Sequence, residues 1–198
     1  MIKIGLCGSS GSGKSCVCQK LEEYGIKWID TDKVYRELVT KDSECLNELV
    51  ECFGKDILKE NGELDRTALS KKVFEESREN LKKLNEISHK HIKTKTLELM
   101  DEYEAQGYKG VTIDAPVLFE SGFDKLCDIT VCVIAPYELK IKRIINRDGI
   151  TRDKAISRLN NQLSDNELIA LCNYKIENSN DNDLDKQIEA FIKATKIV

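Results

Sequence analysis

Hydrophobic and polar positions follow two different rhythms along the chain. The opening run Ile2–Cys7 is apolar and short, and it leads straight into glycines, which predicts a buried strand. After it come a Gly-rich loop over residues 8–13, a helix over 14–24, a short strand over 27–30 and a helix from about residue 32 to 39. A β-α-β-α opening predicts a parallel sheet. From residue 41 to about 106 the rhythm changes. Cys45, Leu46, Leu49, Val50, Phe53, Leu81, Leu84 and Ile87 recur at helical spacing, strand-like alternation is absent, and Gly54 and Asn61-Gly62 mark turns. At Gly110 the sheet pattern returns, with strands expected over 111–114 and 128–135. Pro136 opens a helix to about residue 147, because a proline at a helix start wastes no N–H. Asp148-Gly149 breaks it, residues 151–171 read as one polar helix, and a strand at 174–177 precedes a last helix from about Leu184. These elements predict a three-layer α/β fold: a parallel five-stranded sheet with helices on both faces. The core takes residues 1–40 and 107–198, and a helical insertion takes 41–106.

Composition narrows the possibilities. With 198 residues and 40% apolar content, one core with an insertion is expected rather than two independent domains. A net charge of −4 gives no general attraction to nucleic acid or to anionic membranes, so neither is an expected partner. No segment approaches the roughly 18 apolar residues of a membrane span, and MIKIGLCG lacks the long apolar core of a signal peptide. The eight cysteines form no CxxC pair and sit mostly in apolar stretches. They read as reduced core thiols of a cytoplasmic protein.

The chemistry begins at Gly8-Ser9-Ser10-Gly11-Ser12-Gly13-Lys14-Ser15, a full match to the phosphate-loop pattern GxxxxGK[ST]. Glycines let successive backbone N–H groups turn toward phosphate oxygens, and the following helix offers its positive end to the same anion. Lys14 can reach the β- and γ-phosphates, and the Ser15 hydroxyl can ligate Mg²⁺. The motif follows an apolar strand and opens a helix, so ATP is the expected co-substrate and Mg²⁺ the expected cofactor. No [NT]KxD guanine-reading motif occurs, which disfavours a GTPase. Only seven residues are arginine, and Arg143, Arg147, Arg152 and Arg158 crowd into sixteen residues. Arg143 and Arg147 are four apart on one helix face. Arginines after a late helix suit a phosphoryl-transfer lid, placed at residues 147–166.

Candidate acceptor-side residues lie at strand ends, where ligands of open α/β sheets bind. Asp32, after the second strand, is either a base for an attacking hydroxyl or the N-cap of the next helix, and Arg36 follows one turn on. Asp114 ends a buried strand, the usual place for an acid near Mg²⁺, and Pro116 and Glu120 follow in a short loop. His89 and His91 are two apart on a helix and point to different sides, so a shared metal is not expected.

These motifs together resemble the dephospho-coenzyme A kinase family along the whole chain. GLCGSSGSGKS is similar to that family's opening GLTGGIGSGKS, with Ser9 and Ser10 in place of Gly and Ile. IDTDKVYREL, FGKDIL…NGELDR (Asp65, Arg66), DAPVLFESG (Pro116, Leu118, Glu120), RIINRDGITRDKAISRLNNQ (Arg147, Arg158, Gln162) and KIEN (Asn178) resemble its further signatures in order. The resemblance implies a transferase moving the ATP γ-phosphoryl to the ribose 3′-hydroxyl of dephospho-CoA, the last step of coenzyme A biosynthesis. It implies catalytic roles for Asp32 (the base), Lys14, Arg143 and Arg147. ATP would be held by residues 8–15 with Arg147 and Asn178. The acceptor would meet Asp32, Arg36, Asp65, Arg66, Asp114, Pro116, Leu118 and Glu120, and Mg²⁺ would meet Ser15 and Asp114. The insertion would be the CoA-binding lobe, and the working unit a monomer. Another small-metabolite kinase, for a nucleoside or sugar acid, or a non-catalytic ATP-binding regulatory module, are the alternative readings of the loop and lid.

Overall fold

The first strand, β1 (Ile2–Cys7), is buried from Ile4 onward because both faces of a parallel sheet are covered. The computed structural model describes residues 1–76, 78–179 and 184–197. Beside β1 lie β2 (Ile26–Asp30), β3 (Gly110–Asp114), β4 (Ile129–Ile134) and β5 (Tyr174–Glu177), in the order β2-β3-β1-β4-β5. Register is parallel: Ile4 faces Thr112 and Ile129, and Val131 faces Tyr174. The five-stranded α/β architecture expected from the sequence is therefore present. The helices are α1 (Lys14–Glu22), α2 (Thr31–Leu38), α3 (Glu44–Phe53), α4 (Arg66–Lys71), α5 (Arg78–Ala105), α6 (Tyr137–Asp148), α7 (Arg152–Asn160), α8 (Asp165–Leu171) and α9 (Leu184–Thr195).

The chain divides into two compact units, Met1–Ile29 with Asp101–Val198, and Asp30–Met100. In the first, Ile4, Leu6, Val131, Val133 and Ile176 from the sheet pack with Val17 and Leu21 of α1 and Phe191 and Ile192 of α9. In the second, Leu46, Leu49 and Phe53 of α3 pack with Ile57, Leu64, Leu69 and Val73. Thus α2 falls within the helical unit. That unit also holds one antiparallel bridge, Leu58 to Leu64, about the turn where Asn61 Oδ1 accepts from Glu63 N–H. Alternation over so few residues is too short to read from a sequence.

Two boundaries differ from expectation, both because of capping. Asp30, not Asp32, caps α2: its carboxylate accepts from the N–H groups of Asp32 and Lys33. The polar stretch 151–171 forms two helices, not one. Thr151 caps α7, and a capping box of Ser164 with Glu167 starts α8 afresh.

One buried cluster fastens the α6 and α8 helices to the phosphate loop. Lys140 is 5% exposed. Its Nζ donates to Asp165 Oδ1 and Oδ2 at 2.8 and 2.9 Å and to Ser9 Oγ at 3.1 Å. Ser9 Oγ donates in turn to Asp165 Oδ1 at 3.2 Å. Removing one partner of such a pair strands the other charge. Lys140→Ala should therefore lower unfolding free energy by about 2–4 kcal/mol, toward the lower end because Asp165 reaches solvent. Urea denaturation measures this, and native stability in the variant would show that the cluster contributes nothing.

Candidate active site

The loop between β1 and α1 carries three glycines in conformations other residues avoid, with φ of 154° at Gly8, 77° at Gly11 and 88° at Gly13. All three are also boxed in: a Cβ at Gly8 would lie 2.4 Å from the Val133 carbonyl oxygen. A Cβ at Gly11 would lie 2.5 Å from the Lys140 carbonyl oxygen, and one at Gly13 would lie 2.0 Å from Asn178 Nδ2. Gly13 is the N-cap of α1 and no side-chain cap hydrogen bond closes that helix start, which suits it to an anion. Ser12 N–H closes the loop onto Ser9 O at 3.1 Å. Ser10 N–H points the other way, toward Gln162 Oε1 at 2.9 Å.

Turning N–H groups inward turns carbonyl groups outward, and these have partners. Arg143 Nη1 donates to Gly11 O, Ser12 O and Asn178 O at 3.1, 3.2 and 3.1 Å. Asn178 Nδ2 donates to Gly13 O at 3.3 Å. Lys14 Nζ donates to Gly8 O at 3.1 Å and lies 3.9 Å from Asp114 Oδ1. Arg143, expected among the lid arginines, is thus occupied by the outer wall of the loop. Asn178, expected to hold the nucleotide, touches the loop backbone.

The other three arginines separate. Arg152 makes a two-pronged ion pair with Glu138 at 2.7 and 2.9 Å. Arg147 pairs with Asp148 at 2.7 Å, and Arg158 pairs with the same carboxylate. Hydrogen bonding from Arg147, then from Arg158, lowers the Asp148 carboxyl to about 2. Asp148 therefore stays ionised throughout the neutral range and joins the end of α6 to α7. Arg147 itself is largely exposed.

Asp114 ends β3 and is 9% exposed, beside Leu6 of β1. Ser15, in the first turn of α1, is exposed. Carboxylate and hydroxyl oxygens are hard donors, which suit Mg²⁺, an ion that keeps waters and phosphates for its remaining positions. A cavity of about 510 Å³ opens between the loop and the turn after β3, lined among others by Gly8, Ser9, Pro116, Leu118, Glu120 and Gln162. Leu118 is 1% exposed and packs under Gly5, so it floors the cavity, whereas Pro116 and Glu120 are exposed.

Within the helical unit, Asp32 is exposed in the first turn of α2. Arg36 Nε donates to Asp32 O at 3.2 Å, and Arg36 Nη2 lies 3.9 Å from Asp30 Oδ2. Asp65 caps α4 by accepting from Thr67 and Ala68 N–H, and Arg66 follows it, exposed. His91 Nε2 lies 2.7 Å from Glu48 Oε2, and burial lowers the pKa of His89.

Sequence reasoning missed Lys140 and Asp165 as supports of the loop. A signal was present: Lys140 and Arg143 are three apart on α6, and so share a face. The attention given to Arg143 and Arg147, four apart, selected a different pair.

Comparison with known proteins agrees with this geometry. Residues 2–183 match the family model described as dephospho-CoA kinase. The dephospho-CoA kinase of Fusobacterium nucleatum is 42% identical over 189 residues, covering 95% of each chain, and that of Listeria innocua is 36% identical over 191 residues, covering 96% of this chain and 95% of the relative. Among solved structures, the dephospho-CoA kinase from Campylobacter jejuni superposes with a TM-score of 0.69 at 26% identity, covering 98% of this chain and 96% of its own. A shikimate kinase from Acinetobacter baumannii, with a TM-score of 0.53 at 16% identity, shares the fold. A phosphate loop walled by its own side-chain donors, on a sheet of this order and with these relatives, places the chain in the dephospho-CoA kinase family.

Proposed function

We propose that the chain transfers the γ-phosphoryl group of ATP to the ribose 3′-hydroxyl of dephospho-CoA, giving coenzyme A. The observation that carries this reading is the phosphate loop, held open by Arg143, Asn178 and Lys140, in a chain of this family. The loop N–H groups and the start of α1 bind the triphosphate, with Lys14 exchanging its contact with Gly8 O for phosphate oxygens. Mg²⁺, held by Ser15 and Asp114, would neutralise charge between the phosphates.

Asp32 acts as the base that accepts the hydroxyl proton. Its exposure on α2 supports this, because with Asp30 serving as cap, the Asp32 carboxylate is not needed for capping. Arg36, Asp65 and Arg66 on the helical unit are the groups proposed to meet the anionic acceptor, although Asp65 also caps α4. The helical unit as a whole is proposed as the CoA-binding lobe. Pro116 and Glu120 line the cavity proposed for the acceptor side. Arg147 is the lid residue proposed to leave Asp148 for the transferring phosphoryl, whose higher charge competes for the guanidinium. Eight free cysteines and a net charge of −4 favour a reducing cytoplasm and a small-molecule acceptor.

Mass analysis of the product from dephospho-CoA and Mg·ATP tests the reaction. A phosphorylated nucleoside or sugar acid, with dephospho-CoA untouched, would move the chain to another substrate class. Asp32→Asn should lower kcat by about 10²-fold or more and leave ATP affinity within a few-fold. Full turnover in this variant would remove Asp32 as the base.

The two arginines of α6 should separate by readout. Arg147→Ala should lower kcat by about 10²-fold and change stability by less than about 0.5 kcal/mol, because the residue is exposed. Arg143→Ala should instead raise KM for ATP and lower the melting temperature, because three carbonyl groups lose their donor. Identical profiles for the two variants would count against the separate roles.

A further inference from the structure

Three cysteines converge directly behind the phosphate loop, where the kinase reaction has no use for a thiol. Cys7 ends β1 and is followed at once by Gly8. Cys132 is its partner in register on β4. Cys172 follows α8, and its sulfur lies 3.4 Å from that of Cys7. Cys7 and Cys132 are 1% and 0% exposed, whereas Cys172 is only partly buried. Cys172 is thus the least buried member of the cluster.

The hydrogen bonds among the three divide the protons unevenly. Bonds from Cys132, then Cys7, hold the Cys172 thiol well below its ordinary range. The bond with Cys132, then that with Cys172, and burial push Cys7 up. The lowered pKa favours the thiolate, the form that attacks an oxidant, at the least buried of the three cysteines.

We propose that Cys7 and Cys172 are an oxidative modification site, at which a peroxide joins them in a disulfide that disables the phosphate loop and a small thiol restores it. The Cys172 thiolate attacks one peroxide oxygen; an S–O bond forms, the O–O bond breaks, and the departing hydroxide takes a proton to become water. Cys7 then loses its proton and attacks the Cys172 sulfur; the S–S bond forms, the S–O bond breaks, and the hydroxide leaves as a second water. Two thiols are oxidised and one peroxide is reduced.

The structural consequence falls on the loop. A disulfide brings the sulfurs to about 2.05 Å, so the end of β1 and the residue that follows α8 must draw together. Gly8 has little room to follow, because a Cβ there would already lie 2.4 Å from Val133 O and 2.7 Å from Ser12 Oγ. The movement passes into the backbone whose N–H groups meet the nucleotide. The effect on turnover rests on the kinase reading above; the cross-link and the loss of nucleotide binding do not.

The 198-residue chain is treated with stoichiometric hydrogen peroxide, digested with trypsin and mapped by mass spectrometry. ATP binding is measured on the same samples without any acceptor. The expected product joins residues 4–14 to residues 159–175. ATP affinity should fall by about tenfold, the equivalent of one lost hydrogen bond to a charged group, and dithiothreitol should restore it. Cys172→Ser should bind ATP like the native protein and ignore peroxide, whereas Cys52→Ser, at an exposed thiol elsewhere, should remain sensitive. Cys172→Ala serves if the serine variant does not fold. Absence of the Cys7–Cys172 peptide, a link from Cys172 to Cys132 in its place, or undiminished loss of binding in the Cys172 variants would overturn the proposal.

Discussion

A loop that aims its N–H groups at an anion must aim its carbonyl oxygens at its own protein, and every one of those buried needs a donor. This constraint organises the nucleotide half of the molecule. Arg143 alone serves the carbonyls of Gly11, Ser12 and Asn178, and the Asn178 amide serves that of Gly13. Lys140, tied to Asp165, holds the Ser9 hydroxyl at the opposite end of the loop. The glycines permit the left-handed turns, but the side chains from α6, α8 and the end of β5 hold them in place. A cation and an amide that look like ligand contacts in the sequence are therefore part of the wall that gives the ligand its place.

The same accounting explains how charge is distributed about α6 and α7. A cluster of arginines facing one another without counter-charges would repel, so each is matched locally: Arg152 with Glu138, Arg147 and Arg158 with Asp148. Asp148 remains ionised far below neutrality because of these neighbours. Exposed pairs of this kind are weak in water, which allows a stronger anion to take an arginine over.

The candidate site is built on backbone fixed by the sheet. The sheet presents Cys7, Asp114 and Glu177 at the ends of β1, β3 and β5, and the loop and the turn after β3 grow from the first two. Asp30 caps α2 with its carboxylate, and Asp32 is exposed in the first turn of that helix. The thiols behind Cys7 show the other side of tight packing, since residues drawn together to fill a sheet core also bring reactive atoms within reach of one another.

Local rules were enough to locate the strands, the phosphate loop and most helices, because each depends on neighbours close in sequence. Buried runs such as Ile2–Cys7 and the spacing of GxxxxGK[ST] need no distant partner to be recognised. Capping was harder, since Asp30, Asp32, Thr151 and Ser164 are all residues that can begin a helix, and the choice among them depends on where the chain must turn. Tertiary structure alone decided that Arg143 and Asn178 wall the loop, that Lys140 and Asp165 brace it, and that Cys7 meets Cys172. These pairs lie between 25 and 165 residues apart. No periodicity records a contact of that separation; it exists only once parallel strands have brought their ends to one edge of the sheet.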